Sequence, residues 1–303
     1  MMRHDDLVYS RAGGQDRLAD LYLPEGAGPH PVILFLHGGG WRFGDRRLAP
    51  DLGRFFADKG FAMVSIDYRL SDEAKFPAAV IDVKTAIRWI RSVAGTYALN
   101  PRAIGLWGSS AGAHLGALAA LSGAAFRSDE WAGFPDDVQA VADGYGPTDF
   151  LQIDGHQNPD ALPGNDPESA RLPPPGPSAD SGSMESRFIG APINEAPEVV
   201  ARANPAAYAT AGACPFLILH GDCDAHVPQH QSRLLFRALA EKGAEAEFLG
   251  IHGLGHGFLN RNDLDDGGPH RMERRLSSDP DAANEVEAEI FETIRAFFAR
   301  TLG

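Results

Sequence analysis

The chain has 303 residues, 44% of them apolar and 22% charged, with 41 Asp and Glu against 27 Lys and Arg. That balance suits a soluble globular protein with a sizeable core, and a formal charge of −14 argues against nucleic acid or an anionic membrane as partner, since both need clustered cations. The polar start "MMRHDDLVYSRAGG" lacks a signal-peptide core and nothing approaches the roughly 20 apolar residues of a membrane helix, so a cytoplasmic location is expected.

Short apolar runs alternate with longer helical patterns. This predicts the α/β class: a mostly parallel twisted sheet of about eight strands with helices on both faces, in a single domain over 1–303. "LADLYLP" (18–24) alternates like an early antiparallel strand, and "PVILFLH" (31–37) is a continuous apolar run, as a strand buried on both faces should be. "FAMVSIDYR" (61–69) comes next. A helix is predicted within 76–99, where Val80, Val83, Ile87 and Ile90 share a face and Pro77 stands near the start. "AIGLWG" (103–108) runs into small helix-forming residues, and "AVADGYG" (140–146) follows. From 150 to 205 the rhythm breaks. This stretch, rich in Pro, Gly, Ser and Asp, reads as an insertion within the domain: a lid or pocket wall, with a solvated excursion equally open for its Pro-rich middle. "PFLILHG" (215–221), a helix over 229–242, "AEFLGIHG" (246–253) and a final helix over 281–303 complete the pattern. Cys214 and Cys223 flank a strand too long for a disulfide to span, so both read as thiols, in keeping with a reducing compartment.

Gly108-Ser109-Ser110-Ala111-Gly112 fits G-x-S-x-G, and it stands where that motif has mechanical meaning, after a strand and before a helix. The glycines permit a tight bend, Ser110 projects at the C-terminal edge of the sheet, and the Ala111 amide lies at a helix N-terminus facing an oxyanion. A purely steric turn explains these five residues as well, so the rest of the chain has to decide. In "HGGGW" (37–41) three consecutive glycines make sense where the backbone approaches something closely, and the amides of Gly39 and Gly40 would join that of Ala111 as oxyanion donors. A phosphate loop is the rival, but no Lys-Ser/Thr pair closes it. A hydroxyl nucleophile needs a base, and the base needs an orienting acid. "LILHGDCDAHVP" and "GLGHGF" each follow a strand predicted at the same sheet edge. His256, in a glycine-rich loop, is the first choice of base and His252 the second. Asp224, further along its loop, is preferred as acid to Asp222, which reads as holding the turn.

Ser110, Asp224, His256 is the chain order of α/β-hydrolases. With "HGGGW", "DYRL", "GSSAGAHL", "HGDCDAHVP" and "GHGF" collinear over about residues 18–260, the chain resembles the hormone-sensitive-lipase-like esterases of that superfamily, in particular small bacterial esterases. The resemblance implies a carboxylic ester hydrolase with nucleophile Ser110, acid Asp224, base His256 and oxyanion amides from Gly39, Gly40 and Ala111. It implies a small-molecule ester as substrate and no cofactor or metal. Acetyl and feruloyl esterases acting on plant carbohydrate share this look, and a short-chain acyl ester is expected. Arylformamidases, with a closely similar glycine motif, make amide hydrolysis on the same triad the alternative. Fewer than 40 residues precede His37, so the N-terminal helical cap of many relatives is expected to be absent and 150–205 to wall the acyl site instead.

Trp41 and Phe43 are candidates for that wall, with closure of the core equally open for both, and Ser109, Tyr145 and His226 are further candidates for the lining. His114, one turn after Ser110, reads as a packed, hydrogen-bonded histidine, and Tyr68 and Arg69 as anchors of a strand end. His220, Asp222, Asp224 and His226 alternate as metal ligands can, but a strand passing into a loop does not bring alternate residues to one point. A homodimer is among the assembly states open to such a chain.

Overall fold

The computed structural model describes residues 1–158, 161, 164 and 166–303; positions 159, 160, 162, 163 and 165 of the expected insertion lie outside the described residues. In chain order the strands are β1 (Met2–Ser10), β2 (Arg17–Leu23), β3 (His30–Leu36), β4 (Ala62–Ile66), β5 (Leu99–Ser109), β6 (Ala140–Gly144), β7 (Phe216–Gly221), β8 (Ala246–Ile251), β9 (His270–Leu276) and β10 (Asp279–Ala288). The α-helices are α1 (Leu52–Phe55), α2 (Ala78–Ser92), α3 (Ala111–Leu121), α4 (Met184–Ile189), α5 (Pro197–Ala203), α6 (His230–Glu241) and α7 (Ile290–Leu302).

Among the described residues these strands form one sheet, in the order β1-β2-β4-β3-β5-β6-β7-β8-β9-β10. The six central strands, β4 to β8 in that order, run parallel, and an antiparallel pair extends the sheet at each side. Side chains of β3 explain its unbroken apolar run: Val32, Leu34 and Leu36 enter one core, Ile33 and Phe35 the other. The first core is covered by α2, α3 and α6, the second by α1 and α7. Each fully buried Leu or Phe in these layers contributes about 1.5–3 kcal/mol. In α2 the four predicted residues Val80, Val83, Ile87 and Ile90 are all fully buried.

Register decides what the sheet presents at its C-terminal edge. Leu36 pairs with Gly108 and Ser109 with Gly144, so the loops after β3, β5 and β6 emerge level with one another. Gly221 pairs with Ile251, which brings the loops after β7 and β8 to the same edge. Between β6 and β7, α4 and α5 are packed rather than solvated: Phe188, Ile189 and Val200 share the first core with Trp41 and Phe150.

Two expectations are corrected. Among the described residues the sheet has ten strands, not about eight, because β1, β9 and β10 bury few apolar side chains and give no apolar run. The helix expected over 281–303 is a strand as far as Ala288, pairing with β9 through Val286 opposite Met272, and only Ile290–Leu302 is helical.

Candidate active site

Strand β5 ends at Ser109 and α3 begins at Ala111, so Ser110 alone turns the chain, at φ 51° and ψ −119°. Such a conformation is strained for a residue with a side chain and persists only where its surroundings hold it. Here the Ser110 amide donates to Gly144 O at 2.7 Å, and Ser110 O accepts from the His114 amide at 3.1 Å. A Cβ on Gly108 would lie 2.4 Å from the Gly112 carbonyl carbon, and one on Gly112 would lie 2.1 Å from Leu36 O. Only glycine lets α3 lean this closely on the strands beneath it.

His256 Nε2 stands 2.9 Å from Ser110 Oγ, and its Nδ1 stands 2.7 Å from Asp224 Oδ2. All three side chains are buried. Asp224 Oδ1 accepts from the amides of His226 (2.8 Å) and Val227 (2.9 Å), while His220 Nε2 lies 3.2 Å from Oδ2. Burial alone would push the Asp224 carboxyl up, but the charge of His256 and hydrogen bonds from His220 and His256 hold it well below the carboxylate range. Burial likewise disfavours a charged His256. The Asp224 and Glu168 carboxylates beside it outweigh that and raise it to about 10.

The glycine loop is braced from behind. His37 stacks on Tyr68 at 4.3 Å, and the Tyr68 hydroxyl donates to His37 O at 2.8 Å. Arg69 grips the buried Asp82 with both its Nε (3.0 Å) and Nη2 (2.6 Å) on Oδ1. Gly39 (φ 109°) and Gly40 (φ 59°) turn the backbone through the left-handed region, and the amides of Arg42 and Phe43 both return to Gly39 O.

Sequence reasoning missed Glu168. This residue of the 150–205 stretch is fully buried; its Oε1 accepts from the Gly39 amide at 2.8 Å and lies 3.8 Å from His256 Nε2. Its Oε2 accepts from Asn260 Nδ2 at 2.7 Å. Burial would push this carboxyl up, but contact with His256, the Gly39 amide and the Ser110 hydroxyl keeps it below the usual glutamate value. One glutamate in a Pro-rich run without periodicity gives no signal that would have found it.

A cavity of about 460 Å³ opens over Ser110 and His256, walled by Trp41, Pro173, Pro175, Glu185 and His226. Trp41 lines this cavity and also stacks on Phe188 at 4.6 Å within the core. Phe43, Ser109 and Tyr145 are not among the cavity-lining residues. Ser109 and Tyr145 are fully buried, the Tyr145 ring standing edge-on to His256 at 4.8 Å, and Phe43 lies under the Arg42 guanidinium. His114 is enclosed: Trp41 Nε1 donates to its Nδ1 at 3.2 Å, its Nε2 donates to Ala203 O at 2.7 Å, and burial lowers it to about 4. His252 is exposed at the surface and pairs with Asp222 at 2.9 Å, which also takes the Gly253 amide and so holds the turn. His220 binds Ser232 and Val227 O, apart from Asp222, and among the described residues no group of His, Cys, Asp and Glu is arranged to hold a metal ion. Among the described residues no helix is long and apolar enough to cross a membrane.

The chain is an α/β-hydrolase of the hormone-sensitive-lipase-like type. A family model described as BD-FAE matches residues 19–239, and the chain belongs to that family; the dienelactone hydrolase family model matches residues 197–298. It is 34% identical over 249 residues to esterase LipQ and 32% over 235 residues to esterase LipC, both of Mycobacterium tuberculosis (strain ATCC 25618 / H37Rv). Those alignments take in 79% and 76% of this chain but 53% of each relative, so the chain spans about half the length of the curated relatives it matches. Among solved structures, a truncated carbohydrate esterase from gut microbiota superposes with a TM-score of 0.77 at 26% identity, covering 99% of this chain and 96% of the other. The propionate-bound esterase Est2 of Thermogutta terrifontis gives 0.66 at 25% identity, covering 86% and 87%.

Proposed function

We propose that the protein is a serine carboxylesterase in which Ser110 attacks the ester carbonyl, His256 accepts its proton, and Asp224 orients the imidazole and stabilises the imidazolium. The amides of Gly39, Gly40 and Ala111 receive the tetrahedral oxyanion. His256 then protonates the leaving alcohol, and water attacks the acyl-enzyme by the same route in reverse. The observation that carries this reading is the chain of contacts from Asp224 through His256 to Ser110, at 2.7 and 2.9 Å, on a serine whose strained turn at the sheet edge borders the cavity. Loss of one oxyanion donor typically costs on the order of 10²–10³ in rate, so the glycine loop contributes on the same scale as a general base.

A short-chain acyl ester is the substrate class, because the cavity is compact and its wall over residues 172–177 carries four prolines, Pro173, Pro174, Pro175 and Pro177. Polar side chains there, among them Ser178, Ser183 and Glu185, suit a hydroxyl-rich alcohol portion, and one structural neighbour is named a carbohydrate esterase. In this reading the 150–205 insertion walls the site within one hydrolase domain. The test is a fluorophosphonate label mapped by mass spectrometry, together with turnover of p-nitrophenyl acetate and butyrate. Labelling of Ser110, with turnover abolished in Ser110→Ala, supports the reading; retained turnover in that variant overturns it.

A further inference from the structure

We infer that Glu168 is a built-in competitor for the ester: its carboxylate takes the Gly39 amide that the ester oxygen needs, and it has to release that donor before each turnover. This rests on the esterase reading above and adds to it a second conformation of the site.

The argument is steric first. Glu168 Oε1 lies 2.8 Å from the Gly39 amide nitrogen and 3.8 Å from His256 Nε2. An ester oxygen bound for attack by Ser110 needs that same amide at about 2.7–3.1 Å. An ester oxygen reaching that amide must displace Oε1 or share the donor with it in a bent, weakened three-centre bond. The fit against the loop is close: a Cβ on Gly38 would fall 1.8 Å from Glu168 Oε1. A planar carboxylate with one oxygen on the amide and the other on Asn260 also resembles the acid that ester cleavage releases, which explains why a site shaped for acyl groups accepts it.

The surroundings hold the carboxylate without making it part of the core. Asp166 Oδ1 accepts from the amides of Glu168 (2.8 Å) and Ser169 (3.0 Å), and Ser169 Oγ donates to His256 O at 3.2 Å. These are local turn contacts and single hydrogen bonds, each contributing roughly 0.5–3 kcal/mol, a scale on which a bound ester can compete. The arrangement also leaves the nucleophile idle. With Glu168 in place, an anion faces both the Ser110 hydroxyl and His256, which favours the protonated imidazole over the neutral one that could take the serine proton.

A competitor of this kind acts on apparent affinity. If the site is unobstructed one-tenth of the time, apparent KM is raised about tenfold while kcat is unchanged. Glu168→Ala is therefore expected to lower KM for p-nitrophenyl acetate about tenfold and to speed fluorophosphonate labelling of Ser110 by a similar factor. Asn260→Ala, which removes the donor holding Oε2, should shift both in the same direction by less, and it provides a reading if Glu168→Ala misfolds. Thermal melts of each variant establish that it is folded. Unchanged KM and labelling rate in the folded variants overturn the proposal, as does a large fall in kcat, which would place Glu168 in the reaction itself. Failure of Ser110 to label in wild type and variants alike, with esters untouched, overturns the nucleophile reading and this proposal together. Labelling of Ser110 in folded Glu168→Ala at the wild-type rate overturns this proposal alone.

Discussion

His256 Nδ1 stands 2.7 Å from Asp224 Oδ2, although the two loops that carry them follow different strands. Asp224 is held so that it can only accept: two backbone amides occupy Oδ1, leaving Oδ2 for the imidazole. In Asp224→Asn the carbonyl oxygen keeps the amides and the NH2 group turns to His256. The imidazole must then accept at Nδ1 and carry its proton on Nε2, facing Ser110, where it cannot act as base. A fall in kcat on the order of 10⁴-fold is expected. Steady-state turnover of p-nitrophenyl acetate measures it, and a loss under tenfold would remove Asp224 from the mechanism.

The pH profile follows from the charges around His256. Two carboxylates face it, Asp224 and Glu168; Tyr145 and His226 stand against its ring at 4.8 and 5.2 Å. The carboxylates raise His256 to about 10 despite its burial. A base must be deprotonated to act, so kcat/KM should keep rising with pH above the ordinary histidine value near 6.5. Removing the Glu168 charge lowers His256, so Glu168→Ala should move the acid limb toward lower pH. Stability runs the other way. A raised folded-state value favours the protonated fold, so that contribution is complete below about 6.5 and is lost as pH climbs through about 10. Melting curves across this range, compared with those of His256→Gln, check the sign.

Gly112 is the contact on which the serine turn depends. An added methyl would meet Leu36 O at 2.1 Å and His37 O at 2.5 Å, both backbone atoms that cannot rotate away. Gly112→Ala should therefore destabilise the protein by at least the 1–3 kcal/mol typical of overpacking, lowering Tm by several degrees. Because the same shift moves Ser110 against His256, kcat/KM should fall about 100-fold in protein that is still folded. Differential scanning calorimetry and kinetics on one preparation separate the two effects.

What the sequence disclosed, and what it withheld, divides along physical lines. The run 31–36 and the face formed by Val80, Val83, Ile87 and Ile90 are legible because both ends of a burial pattern lie within one segment. The edge strands β1, β9 and β10 bury too little to leave such a pattern, and the residues before Ile290 passed for helix because their Ala and Glu favour one. The serine turn, the glycine loop and the two late loops could be read because each follows a buried strand, and parallel strands deliver their C-terminal ends to one edge. Asp224 contacts His256 and Asp222 contacts His252, and the sequence separates the two aspartates only by place along the loop and by Val227-Pro228 after it, whereas nothing in it points to Glu168. Its placement beside Gly39 and Asn260 is set by the path of an irregular segment, and no local rule encodes that path.

Trp41 tests whether one ring can be both core and pocket. It is 2% exposed, stacks on Phe188 at 4.6 Å, and supplies the hydrogen bond that satisfies His114 Nδ1, yet it also lines the cavity above Ser110. Trp41→Ala removes the ring and leaves a buried acceptor unpaired, so a loss of about 3–5 kcal/mol is expected, near 10 °C in Tm. If the ring also bounds the acyl site, the space it vacates should admit longer chains, and the ratio of p-nitrophenyl octanoate to acetate turnover should rise about tenfold. Trp41→Phe keeps most of the packing and should leave that ratio near the wild-type value. A fall in Tm with the ratio unchanged would assign Trp41 to the core alone, and the acyl wall would then pass to the prolines at 173–175.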